Sequence, residues 1–240
     1  LEFRKLAQLS YPVNEAFNTL STNVSFLGRD IKKIMLTSSH ASEGKSFTSI
    51  TLCRKLAERG KRVVLVDTDL RRSMITTVYG VQFAPDSKKQ GLSHYLAGIA
   101  EKEEVLFHTN VPGMDFIPMG HELLNPIPLL SSERFQNLLD GLAEQYDYVI
   151  VDAAPVGVVI DAAEIAKVCD GILLVVSYNQ VHRQELIDAK NQLEQTGCPI
   201  LGTILNQVDY EGFANKKYYY KSHYSSYYKA YEKEAEEKKS

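Results

Sequence analysis

The chain has 240 residues, a net charge of −3 and a composition of 44% hydrophobic and 24% charged residues, a balance that suits one soluble domain with a sizeable core. The mild acidity argues against a general nucleic-acid footprint. No apolar run nears the ~18 residues of a membrane span and no signal peptide is visible, so a cytoplasmic protein is expected. Cys53, Cys169 and Cys198 are scattered without CxxC spacing and read as reduced thiols, two of them beside or within apolar elements. The chain does not begin with methionine, and Leu1-Glu2-Phe3 reads as a cloning remnant or a trimmed start.

In chain order, residues 10–27 place Val13, Phe17, Leu20, Val24 and Leu27 at helical spacing, with Pro12 suiting a helix start. The apolar run Ile34-Met35-Leu36 then breaks into a small polar loop ending in Gly44-Lys45-Ser46. An amphipathic helix over 45–59 is expected next, with Gly60 as its C-terminal stop. Strand, loop and helix in this order form the setting of a phosphate-binding P-loop. Successive loop N–H groups and the helix N-terminus supply fixed donors to a polyphosphate. Lys45 can reach the β and γ phosphates, and the Ser46 hydroxyl can ligate Mg²⁺. The common GxxxxGK[ST] spacing asks for glycine where this chain has Ser39.

The stretch 62–71 contains a continuous β-branched run, Val63-Val64-Leu65-Val66, and closes on Asp67-Thr68-Asp69. A strand without alternation is buried on both faces and hence parallel. Its C-terminal end, where the two carboxylates lie, is where open α/β sheets bind ligands. Residues 80–112 read as a connector with a short helix over 91–96, and 114–118 as a short strand. Ser131-Ser132-Glu133 starts a helix running to about 144. Residues 147–152 form a second buried strand ending in a carboxylate, Asp152, a Walker B pattern downstream of a P-loop. A helix over 161–168, a strand over 171–176, a helix over 184–195 and a strand over 199–206 complete the core. From 216 onward the apolar period stops and Tyr218, Tyr219, Tyr220, Tyr224, Tyr227, Tyr228 and Tyr231 crowd together, which suits a flexible surface tail.

These motifs together resemble the bacterial tyrosine kinases, the capsule and exopolysaccharide autokinases built on a P-loop ATPase fold. The likeness rests on the Ser38 to Ser46 loop, the Val63 to Arg71 strand (the family's second Walker A motif), the Tyr148 to Pro155 stretch and the tyrosine-rich tail. It implies an α/β, P-loop NTPase-like fold, with a mostly parallel sheet covered by helices on both faces. A catalytic domain over 1–209 would precede the tail, 210–240. It also implies ATP and Mg²⁺ as cofactors. Ser42, Glu43, Gly44, Lys45, Ser46 and Phe47 would line the phosphate loop, and Asn206 would contact adenine. Ser46, Asp69 and Asp152 would hold the metal. Asp67, Lys45 and Asp69 would form the catalytic set, with Asp67 accepting the tyrosine proton, and the seven tail tyrosines would be the phosphoacceptors.

The implied partners are a membrane-anchored chain-length regulator whose cytosolic tail activates the kinase, and a cognate tyrosine phosphatase; membrane association would come through that activator. The family's oligomerisation pattern, Glu followed by Arg at +3 and +6, here reads Glu15, Asn18 and Ser21, so a homo-oligomer would lack both arginines. Ala41-Ser42 and Ala153-Ala154 also depart from the family's usual residues. Two other readings remain: a partitioning or division-site ATPase, which usually carries an extra lysine where this chain has Ser38-Ser39-His40-Ala41, and a degenerate nucleotide-binding scaffold. The tail from 216 to 240 has seven Lys and four Glu, a formal charge of 7 − 4 = +3. Two phosphotyrosines at roughly −1.5 to −2 each would reverse it. Docking of the unmodified tail at an acidic site, and its release once phosphorylated, is therefore expected to be salt-sensitive.

Overall fold

The computed structural model describes residues 1–208; the tyrosine cluster and the tail expected over 210–240 lie outside them. The chain opens with β1 (Glu2–Phe3), α1 (Tyr11–Ser25), β2 (Lys33–Ser38) and α2 (Lys45–Glu58). It continues through β3 (Val63–Asp67), α3 (Ile75–Val78), β4 (Val81–Gln82), α4 (Leu92–Leu96) and α5 (Lys102–Val105). Next come β5 (Phe107–His108), β6 (Met114–Ile117), α6 (Ile127–Leu130) and α7 (Glu133–Gln145). The last elements are β7 (Tyr148–Asp152), α8 (Asp161–Ala166), β8 (Gly171–Ser177), α9 (Arg183–Glu194) and β9 (Ile200–Asn206).

Seven strands form the central sheet in the order β5-β6-β3-β7-β2-β8-β9. All neighbours are parallel except the edge strand β5, which runs against β6. The continuous apolar runs are explained by two cores, one on each face. Met35, Val64, Val66, Val149 and Val151 point into one, beneath α4, α6, α7, α8 and α9. Ile34, Leu36, Val63, Leu65 and Ile150 point into the other, beneath α1 and α2. Each strand thus alternates between two apolar faces, so the sequence shows no polar period.

The long elements fall where the periodicity places them. Ser132 caps α7 by accepting from the Phe135 N–H at 3.3 Å, and Gly60 turns away from α2 at φ +77°. The stretch 80–112 is richer than a connector, adding β4, α5 and β5, and the short helices α3 and α6 lie on either side of it. Pieces of two to four residues are too short to show a period. Leu1-Glu2-Phe3 also belongs to the fold. Glu2 and Phe3 pair with Gln82 and Val81, and the buried Phe3 ring lies 5.3 Å from that of Phe116. Cys53, Cys169 and Cys198 are free thiols, with Cys53 and Cys198 buried. Among the described residues no helix is long and apolar enough to cross a membrane.

On α1, the Asn18 side chain donates to Glu15 at 2.9 Å. Ser21 is buried and donates back to Asn18 O at 2.9 Å. The two positions that lack arginine are therefore absorbed into the helix's own hydrogen bonding. The helix packs on α2, with Phe17 meeting Phe47 edge to face at 5.7 Å.

Candidate nucleotide and catalytic site

The parallel register brings three distant segments to one end of the sheet. Asp152 lies beside Leu36 of β2 on one side and beside Asp67 of β3 on the other. Two strands that each end in aspartate therefore finish side by side, on one side of the loop that leaves β2. Chain order reverses here, since β7 returns between β3 and β2, and such switch points form crevices at strand C-termini.

The loop is held from within. Glu43 is buried, and its carboxylate accepts from Ser177 N at 2.9 Å, from Ser39 Oγ at 2.8 Å and from His40 N at 2.7 Å. Ser39, at the position where glycine is common, thus supplies a bond that glycine could not. With its carboxylate engaged, Glu43 has its backbone N–H to offer a phosphate. The Phe47 ring is packed on Phe17, so only its backbone is left to face a ligand of the loop. From β9, Asn206 Nδ2 donates to Glu43 O at 2.8 Å, and Gln207 Nε2 donates to Ser42 O at 2.9 Å. Gly44 turns left-handed at φ +83°, and a Cβ there would fall 2.0 Å from Asn206 Nδ2, so only glycine closes this corner.

The opposite wall is equally close. A Cβ on Gly157 would sit 2.3 Å from Ser39 O, a backbone atom that cannot yield without moving the loop. Gly157→Ala is expected to raise the dissociation constant for ATP about tenfold while the chain still folds. Titration with a fluorescent ATP analogue, beside a melting curve, measures both.

Asp152 is the hub. Its Oδ2 accepts from Lys45 Nζ and from Ser46 Oγ, each at 2.7 Å, and its Oδ1 accepts from Ser49 Oγ at 2.7 Å. Ser49 was not singled out from the sequence, yet it lies one helical turn past Lys45, a spacing that puts both on one face. Across the strand pair, Asp67 is fully buried, with Oδ2 accepting from Ser73 Oγ. Its Oδ1 is buried and has no hydrogen-bond partner among the described residues. Burial first, and the Asp152 charge second, push the Asp67 carboxyl up to about 8; Ser73 and Lys45 pull the other way. Asp69 is on the following turn, where Oδ1 accepts from Arg72 N at 3.1 Å.

Asp67 also makes stability depend on pH. With its pKa raised, the folded chain keeps this proton to about pH 8, whereas an unfolded chain releases it near ~4. The stabilisation is therefore full below pH ~4 and is lost as pH climbs towards 8. In chelator and without nucleotide, Asp67→Asn is expected to melt progressively higher than wild type as pH rises through that window. The difference should level off above pH 8. A gap independent of pH would count against the burial of a titrating carboxyl here.

The donor set fits ATP and magnesium. Ser46 and the carboxylates of Asp69 and Asp152 are hard oxygen ligands, and Mg²⁺ is usually held by one or two carboxylates plus phosphates. The Asp67 oxygen without a partner is a buried polar atom left for a group outside the described residues to satisfy. No cluster of three His, Cys, Asp or Glu suited to a metal occurs among the described residues.

Residues 31–196 match the AAA domain family. The chain is 37% identical over 195 residues to the tyrosine-protein kinase CpsD of Streptococcus agalactiae, covering 81% of this chain and 82% of that one. It is 31% identical over 208 residues to the tyrosine-protein kinase YwqD of Bacillus subtilis, covering 86% of each. The solved kinase domain of the Escherichia coli tyrosine kinase ETK superposes with a TM-score of 0.77 at 34% identity, covering 88% of this chain and 80% of that one.

Proposed function

This chain belongs to the bacterial tyrosine-protein kinases built on a P-loop fold, and on that premise we propose that it phosphorylates its own C-terminal tyrosine cluster in trans, using ATP and Mg²⁺. The observation that carries this reading is the pairing of two strand-end aspartates: Asp152, gathered up by Lys45, Ser46 and Ser49, and Asp67, buried with an unpartnered oxygen. The kinase domain occupies 1–209 and the acceptor tail 210–240.

ATP supplies the γ-phosphoryl group, and Mg²⁺ neutralises charge on the phosphates. Ser46, Asp69 and Asp152 would hold the metal, and the amides from Ser42 to Phe47 would cradle the phosphates. With Mg²⁺ bound, Lys45 would be free to exchange Asp152, its partner at 2.7 Å, for the phosphates. Asn206, whose Nδ2 is committed to Glu43 O, presents its carbonyl oxygen to the amino group of adenine. A phenol of pKa near ~10 is a weak nucleophile at neutral pH. With Mg²⁺ bound, the Asp152 charge would be offset and the ionised form of Asp67 favoured. Asp67 Oδ1 would then take the phenol proton as the tyrosine oxygen bonds to γ-phosphorus and the bond to the β–γ bridging oxygen breaks. Arg71 holds the neighbouring loop, donating from Nε and Nη2 to Asp161 at 2.6 and 3.0 Å.

In the cell, this activity regulates capsular or extracellular polysaccharide synthesis and export. A membrane-anchored chain-length regulator activates the kinase through its cytosolic tail and brings it to the membrane, and a tyrosine phosphatase resets it. With Asn18 and Ser21 turned to intrahelical bonds, self-association is weaker than an arginine-bearing helix would give. Intact mass with ATP–Mg²⁺ tests the reading. Stepwise gains of one phosphate, mapped to Tyr218, Tyr219, Tyr220, Tyr224, Tyr227, Tyr228 or Tyr231, are expected. Phosphate confined to serine or threonine would sink it.

A further inference from the structure

Large apolar side chains are exposed unevenly. Of the eight such residues exposed among those described, four stand on loops leaving the C-terminal ends of three neighbouring strands, β6, β3 and β7. They are Leu124, 96% exposed, Met74, 51%, and Val158 and Ile160, 61% each. One guanidinium ties two of these loops together: Arg71 Nη1 donates to Leu124 O at 2.8 Å, while Nε and Nη2 grip Asp161, the residue after Ile160. Ser73, just before Met74, donates to Asp67. The four residues thus stand on loops tied together at the strand end that holds Asp67, a set called the collar below. A cluster of this kind beside a polar site marks a surface that covers a partner.

The occupant must bring apolar area and still present a hydroxyl to Asp67. The sequence from 216 to 240 has alanine as its only aliphatic type, and tyrosine supplies all its large apolar surface. Every tyrosine from 218 to 231 has another within three residues. When one hydroxyl is at Asp67, a neighbouring ring is therefore always close enough to lie on the collar, because extended chain spans ~3.3–3.6 Å per residue. We propose that the collar of Met74, Leu124, Val158 and Ile160 is an acceptor subsite that reads an unmodified aromatic ring flanking the target tyrosine of a second copy's tail. This rests on the reading of that tail as the phosphoacceptor.

A phosphorylated ring carries roughly −1.5 to −2 charge and cannot be buried on apolar side chains without losing its hydration. Each transfer therefore removes a docking ring for the next, and phosphorylation of the cluster limits itself. The tail's positive charge guides approach; the collar sets which tyrosine follows which.

The test uses wild-type full-length kinase and a tagged full-length Lys45→Met chain as acceptor. The acceptor carries its native tail, or a tail that keeps Tyr224 alone with the other six tyrosines changed Tyr→Phe or Tyr→Ser. Initial rates at Tyr224 are read by mass spectrometry. The Tyr→Phe tail should match the native tail within about twofold, and the Tyr→Ser tail should be slower by about tenfold. A kinase bearing Leu124→Ser and Ile160→Ser should slow the Tyr→Phe tail to the Tyr→Ser rate at an unchanged KM for ATP. Both side chains are exposed, so the double variant should melt as wild type does. Equal rates on the Tyr→Phe and Tyr→Ser tails would overturn the collar and leave the acceptor reading standing. No transfer to the native tail would overturn both.

Discussion

Lys45→Met is expected to reduce phosphotyrosine formation by about 10³-fold or more, to background in an intact-mass assay. In the proposed mechanism the substitution would remove the cation that offsets charge on the phosphates. It also leaves Asp152, which is 1% exposed at its side chain, without its ammonium partner. Loss of one member of a buried ion pair costs about 3–5 kcal/mol. The lower end applies here, because Ser46 and Ser49 still donate to the same carboxylate. Lys45→Met should therefore melt below wild type in the absence of nucleotide. Phosphotyrosine at the wild-type level in purified Lys45→Met would defeat the assignment of this site.

Asp67→Asn should cost about 10²–10⁴-fold in transfer rate, the range for a general base, while ATP binding changes severalfold at most. The reason is positional. In the proposed mechanism Lys45, Ser46, Asp152 and the loop amides would handle the nucleotide, whereas Asp67, with its unpartnered oxygen, would meet the incoming hydroxyl. Single-turnover rates compared with nucleotide titration separate the two effects; equal losses in both would make Asp67 a nucleotide ligand instead. The two variants also diverge in stability. Asp67→Asn replaces a buried carboxyl pushed up to about 8 and should gain in melting temperature at alkaline pH, where Lys45→Met loses. Equal inactivity with opposite stability would be hard to produce by general misfolding.

Several features of this site could be read without coordinates because their signal is local. Gly44-Lys45-Ser46 after an apolar run, and two apolar runs ending at Asp67 and Asp152, announce strand ends and phosphate chemistry through residue type and spacing alone. The same holds for α1, α2, α7 and α9, which are long enough to show a helical period. Short pieces gave no such signal. β1 and β4 have two residues each and exist because they pair with one another across some eighty residues of chain. Glu43 looks like a loop carboxylate available to ligand, and only the fold turns it inward to Ser177 and Ser39.

The sequence by itself determined the chemistry at hand: which groups could bind phosphate, hold a hard cation or accept a proton, and that the strands bearing them are buried on both faces. Tertiary structure decided which of those groups act on each other. Register placed Asp67 beside Asp152; burial first, and the neighbouring Asp152 charge second, raise Asp67 to about 8. The same long-range pairing brought Lys45, Ser46 and Ser49 to a carboxylate about a hundred positions away and set Leu124 against Arg71. Periodicity and motif spacing act over a few residues, whereas electrostatic coupling depends on distance in space, which only the packed sheet supplies.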